Sequence, residues 1–137
     1  MTRQAIQTNG APAPVGPYSQ AIRSDDMVWC AGQVGLDPAT GELVEGGVEA
    51  QAERALRNLQ AVLDAAGLGF ADVVKTTIFL TDVGDFAAVN AIYAGFIADP
   101  PPARSTIGVA ALPKGALVEV ELIAHRPRVD AVSRTPA

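Results

Sequence analysis

The chain has 137 residues, enough for one domain with its own core. Fifteen acidic and ten basic side chains leave a net charge of −5 and a pI of about 4.7, which argues against non-specific nucleic-acid binding. The composition is globular, at 49% hydrophobic and 18% charged, with no apolar run near the ~20 residues of a membrane helix and no signal-peptide core in MTRQAIQTNG, so the expected location is cytoplasmic.

In chain order, a first strand is expected near residues 3–7. Residues 9–17, NGAPAPVGP, read as a loop. Tyr18 follows the Gly16-Pro17 turn, which presents its phenol either to packing or to a cleft. Strands AIRS (21–24) and VWCAG (28–32) flank a hairpin turn. Cys30 lies among Val28, Trp29 and Ala31 and reads as a small buried hydrophobe. One cysteine and one histidine exclude an internal disulfide and a Cys/His zinc cage within one chain, and no metal site or cofactor is expected.

From Glu49 to Ala66, apolar residues fall at 52, 55, 56, 59, 62, 63 and 66, the spacing of one buried helix face. Glu53 and Arg57 are placed to pair at i, i+4, and Gly67 to end the helix. DVVKTTIFLT (72–81) is rich in β-branched residues and reads as a strand. A second helix starts at Asp82 or Asp85, carries Phe86, Val89, Tyr93, Phe96 and Ile97 on one face, and stops at Asp99-Pro100. RSTIGV and ALVEVELIAH supply the last two strands. The order β-β-β-α-β-α-β-β predicts an α/β (α+β) architecture, a mixed sheet with two helices on one face. Self-association is the expected cover for the other face. Residues 1–126 form a single domain, and the stretch from Pro127 reads as a flexible tail.

Two features carry chemistry. In the last strand, Val118, Val120, Leu122 and Ala124 share the core face, and Leu117, Glu119, Glu121 and Ile123 share the other. The two carboxylates fit a solvated strand face, or a partly apolar intersubunit cleft in which one pairs with a cation. Arg104, after Pro100–Pro102, is the candidate cation, because a guanidinium fork matches a carboxylate bidentately. If RSTIGV and ALVEVELIAH pair as antiparallel neighbours, Arg104 approaches Glu119, which can then accept a proton from a water. That arrangement suits metal-free hydrolysis of a small acid. Paired acids also suggest glycoside hydrolysis, but nothing else in the chain suggests a sugar groove.

Asn90 interrupts an apolar helix stripe, as a structural amide or as one that holds a loop or an arginine at the site. His125 reads as structural or exposed. No phosphate loop or dinucleotide fingerprint is present.

The blocks GPYSQA, AGQVGLDPATGE, QAERALRNLQAVLDAAG, DVVKTTIFLTDVGDFAAVNAIYAGF and PPARSTIGVAALPKGALVEVELIA occur in this order. Together, over residues 5–126, they resemble the RidA (YjgF/YER057c/UK114) family of enamine/imine deaminases. The resemblance implies a chorismate-mutase-like fold and a homotrimer with a barrel-like core and three intersubunit clefts. It implies hydrolysis of 2-enamino and 2-imino acids (2-aminoacrylate, 2-iminobutanoate, 2-iminopropanoate) to 2-keto acids and ammonia. Arg104 would hold the substrate carboxylate and Glu119 would orient or activate water. Tyr18, Asn90, Gly32 and the backbone of Thr106 would line the cleft. Thr106 stands where many members have cysteine, Ala31 where some have serine, and the segment between Asn90 and Arg104 is shorter. The family also contains branches without deaminase activity. The alternatives are a 2-keto acid binding or regulatory protein and, against the acidic pI, an endoribonuclease or translation inhibitor.

Overall fold

A computed structural model describes residues 2–126, so the expected tail lies outside the described residues. Strands β1 (Arg3–Ile6), β2 (Ala21–Ser24) and β3 (Met27–Val34) form an antiparallel meander. Helix α1 (Gly47–Ala65) leads to β4 (Val73–Leu80), and α2 (Phe86–Ala94) leads to β5 (Ala103–Gly108). Strand β6 (Val118–His125) comes last in the chain but lies inside the sheet, whose order is β1-β2-β3-β6-β4-β5.

The alternation in β6 is as expected. Val118, Val120, Leu122 and Ala124 are at most 2% exposed and meet Leu56, Leu59, Val62 and Leu63 of α1 in one core. Helix α1 ends in a Schellman arrangement, in which Gly67, at φ +76°, donates to the Asp64 carbonyl and Leu68 donates to that of Leu63. No basic residue occupies its last turn. Arg23 and Arg126 instead reach the carbonyls of Ala66 and Gly67 from other elements.

Two expectations need correction. The second helix ends at Ala94 with Gly95 as its cap, well before Asp99. Phe96 and Ile97 therefore leave the helix, and Phe96 packs edge-on against Phe70, 5.8 Å between ring centroids. Asp82 accepts from the Gly84 amide and caps a short 3-10 turn ahead of α2.

The larger correction concerns β5. Among the described residues it pairs with β4 alone, in parallel, while β6 pairs with β3 and β4. RSTIGV and ALVEVELIAH are not neighbours. Helix α2 is a crossover connection, which returns the chain in the same direction and seats β5 on the outer side of β4.

Buried amides join the layers. Asn58 Nδ2 donates to the carbonyls of Val34 and Leu36, and Gln51 Oε1 accepts from the Leu117 amide. Gln20, 2% exposed, accepts from the Thr8 amide and donates to the carbonyls of Thr8, Ala11 and Pro12. The face away from the helices stays open. Trp29 and Ile107 are 49% and 45% exposed there. Among the described residues, no helix is long and apolar enough to cross a membrane.

Candidate active site

The structure divides the expected residues between the two faces of the sheet. Arg104 is the register partner of Thr76, so the two share the helix-covered face. Glu119 is the partner of Phe79, on the open face. Between Arg104 and Glu119 lie two strand spacings and three residues of register, roughly 14 Å, as well as the thickness of the sheet. The expected approach of Arg104 to Glu119 within one chain does not occur, because β4 stands between their strands.

Arg104 sits on the edge strand with α2 above it. Residues 86, 90 and 93 of α2 are spaced i, i+4, i+7 and share one helix face. The Asn90 side-chain oxygen accepts from Arg104 Nη1 at 2.8 Å. The guanidinium carbon lies 4.9 Å from the Tyr93 ring centroid and 5.4 Å from that of Phe86. Asn90 thus takes the second of its two readings and holds an arginine. Among the described residues Arg104 has no carboxylate partner. A cavity of about 300 Å³ opens beside it, lined by Tyr93, Ala94, Ile97, Ala98, Asp99 and Pro101. Thr106 is on the same face, two residues along, and its buried hydroxyl has no hydrogen-bond partner.

Glu119 is set in a different way. The register of β3 against β6 shifts between Cys30 and Gln33, a bulge that contains Gly32. A Cβ on Gly32 would lie 1.9 Å from Glu119 Oε2, so the carboxylate occupies space that only glycine leaves free. Partial burial, and then the neighbouring Glu121 carboxylate, push the Glu119 carboxyl above its usual range. Gly32 and Tyr18 line one cavity of about 320 Å³ with Gln33, Thr40 and Lys114. Tyr18 is 53% exposed, so its phenol faces the cleft and solvent rather than the core.

Chemically, one half offers a fixed cation with a free edge and the other offers a carboxylate raised toward neutral pH. Cys30 belongs to neither. It is buried, and burial pushes its thiol up to about 12. His125 is exposed at the end of β6. No cluster of metal-ligating side chains occurs among the described residues. A further cavity, of about 500 Å³, lies outside both halves, between α1 and Phe70.

The family model described as Endoribonuclease L-PSP matches residues 8–126. The chain belongs to this family, the RidA/YjgF family. The mouse protein named 2-iminobutanoate/2-iminopropanoate deaminase is 52% identical, across 89% of this chain and 90% of that one. The crystal structure of RidA from Psychrobacter sp. PAMC 21119 superposes with a TM-score of 0.86 at 48% identity, covering 90% of this chain and 99% of that one. E. coli TdcF with bound serine superposes with a TM-score of 0.85 at 40% identity, covering 90% and 98%. The mixed sheet with two helices is therefore the RidA fold, as the sequence motifs implied.

Within that fold, sequence reasoning missed Phe86 and Tyr93 as partners of Arg104, since both read as core. The signal was their spacing from Asn90 on the helix. It also missed Gln51 and Asn58, buried polar residues inside an apolar face.

Proposed function

We propose that this chain hydrolyses 2-imino acids, and the 2-enamino acids that tautomerise to them, to 2-keto acids and ammonia. The site is shared between neighbouring subunits of a homotrimer. Arg104 and Asn90 come from one subunit, and Glu119, Gly32 and Tyr18 from the next. The observation that carries this reading is the Arg104 guanidinium, held by an amide and two rings and lacking a carboxylate of its own. A substrate carboxylate supplies the missing charge through a bidentate pair. The name of the mouse relative and the amino acid bound to TdcF support the same substrate class.

The separation of Arg104 and Glu119 within one chain supports a shared site, because a small acid cannot span both. The apolar open face, with Trp29 and Ile107, supports a partner copy there. The chemistry needs no cofactor. Arg104 fixes the carboxylate, and Glu119 accepts a proton as water adds to the C=N carbon. The tetrahedral carbinolamine then collapses. In this carbinolamine, formed from the protonated imine, the proton held on Glu119 passes to nitrogen, the C–N bond breaks with loss of ammonia, and the hydroxyl proton returns to Glu119, leaving a 2-keto acid. A carboxylate with a raised pKa suits these proton transfers. The acidic charge balance supports this reading over cleavage of RNA, despite the word endoribonuclease in the family's description.

A coupled assay tests the proposal. A serine or threonine dehydratase generates 2-aminoacrylate or 2-aminocrotonate, and keto-acid formation is followed with wild type, Arg104→Ala and Glu119→Gln. Wild type accelerates the reaction and neither variant does. Mixing the two inactive variants, unfolding them and refolding them together restores about a quarter of the sites, those that draw each intact residue from a different subunit of the symmetric ring. Acceleration by wild type with no rescue on mixing refutes the shared site. No acceleration by wild type leaves a keto-acid binding protein.

A further inference from the structure

We propose that Phe86 and Tyr93 are positioning residues that set the plane of the Arg104 guanidinium and so decide which anions it accepts. This rests on the reading of Arg104 as the carboxylate anchor. An arginine on an edge strand has several rotatable bonds and a large rotamer entropy. One hydrogen bond, Nη1 to Asn90, fixes a distance but leaves the plane free to turn about that bond. Two aromatic contacts remove this freedom, since the cation sits within 6 Å of both ring centroids.

The Tyr93 ring is itself held. It is 5% exposed, and its hydroxyl lies 2.7 Å from Thr76 Oγ1. Thr76 is the register partner of Arg104 across β4 and β5. Strand, hydroxyl, ring and guanidinium therefore form a closed circuit, so the ring cannot swing away from the guanidinium without breaking a buried hydrogen bond. Phe86, 42% exposed, supplies the second ring contact. With its surroundings fixed in this way, Arg104 offers a free edge rather than a face. A planar carboxylate in that plane meets two donors, whereas an anion presented out of plane meets at most one. The rings thus add selectivity for the planar carboxylate of a 2-imino acid.

Two measurements test this on the full-length protein. The first needs no substrate. In the NMR spectrum of uniformly labelled protein, the Arg104 Hε resonance is expected to be displaced upfield by the rings in wild type. It should move toward its ordinary position in Tyr93→Leu and in Phe86→Leu, and move less in Tyr93→Phe. The second is steady-state kinetics in the dehydratase-coupled assay. Tyr93→Leu and Phe86→Leu are expected to raise KM about 10-fold with kcat changed less than twofold, from the loss of one cation–π contact. Tyr93→Phe, which keeps the ring and loses only the Thr76 bond, should fall between them and wild type.

A merely structural role would lower Tm and the amount of active protein without that split. Phe86→Leu guards against a Tyr93→Leu protein that does not fold, because Phe86 is outside the core. An unmoved Arg104 resonance in both folded variants, or an unchanged KM, overturns the proposal. A wild type that shows the displaced resonance but no hydrolysis overturns the function and leaves the positioning intact.

Discussion

The Arg104 and Glu119 halves of the candidate site are built on opposite principles. Around Arg104, α2 adds groups, an amide and two rings that grip a flexible side chain. Around Glu119, β3 removes them, since Gly32 in a bulge leaves a gap that the carboxylate fills. The first half spends side chains to immobilise a charge that has no carboxylate of its own. The second uses bare backbone to half-bury a charge beside another of the same sign. An anchor must stay charged at every working pH and gains from partners. A proton acceptor must have a tunable pKa and gains from partial desolvation.

Substitutions that erase one half sharpen this contrast. Arg104→Ala should have the largest effect, lowering kcat/KM about 1000-fold, since truncating one partner of a desolvated charge pair commonly costs that much. The same coupled assay should show the loss while gel filtration shows unchanged assembly. Gly32→Ala comes next. Its methyl group must displace the Glu119 carboxylate, so kcat should fall about 100-fold, the scale of a lost general base, with KM for the acid little changed. A variant with wild-type kcat would break the idea that the gap positions Glu119.

Glu121→Gln has a smaller and directional effect. Glu121 is the second cause of the raised Glu119 pKa, so its removal lowers that pKa. Glu119 acts as its carboxylate, so the rate rises with pH through the raised pKa. In Glu121→Gln that rise should come at lower pH, read from kcat/KM against pH. Stability carries the opposite sign. The folded protein binds the Glu119 proton more tightly than the unfolded chain does. Stability should therefore fall as pH climbs from the ordinary carboxylate range through the raised pKa, and Glu119→Gln should flatten that fall in denaturant titrations at several pH values.

The least effect is expected at Cys30. Burial holds its thiol protonated, so it should resist thiol reagents at pH 8 until the protein unfolds. Cys30→Ala should keep full activity and lose a few degrees of Tm, the usual scale for a small core deletion.

Much of the local pattern is legible in the chain. The period of 3.6 from Ala52 to Leu63 and the alternation from Val118 to Ala124 each report a single buried face, and the residues so marked are nearly all inaccessible. Arg104, Glu119 and Asn90 stand out because each is polar against an apolar or constrained background. Strand pairing is less legible, since it depends on contacts distant in sequence. Pro113 and Gly115 suggest a hairpin between β5 and β6, yet the segment that contains them passes β4 to reach the centre of the sheet. Tyr93 and Phe86 were hidden for another reason. An aromatic ring under a cation and one in a core give the same sequence signal, and the α2 spacing separates them only once Arg104 is known to lie beneath that helix.

Gln20 ties the two ends of the loop that carries Tyr18 to each other. Its four hydrogen bonds hold residues 8 to 12, while Val15, at 80% exposure, and Tyr18 project from the rim of the Gly32 cavity. Movement of this loop is consequently confined to its middle. Neither Pro12 nor Gln20 can shift without stranding a buried amide, so the chain over the cavity moves between two fixed points. The reach of the loop is limited to the few residues between them.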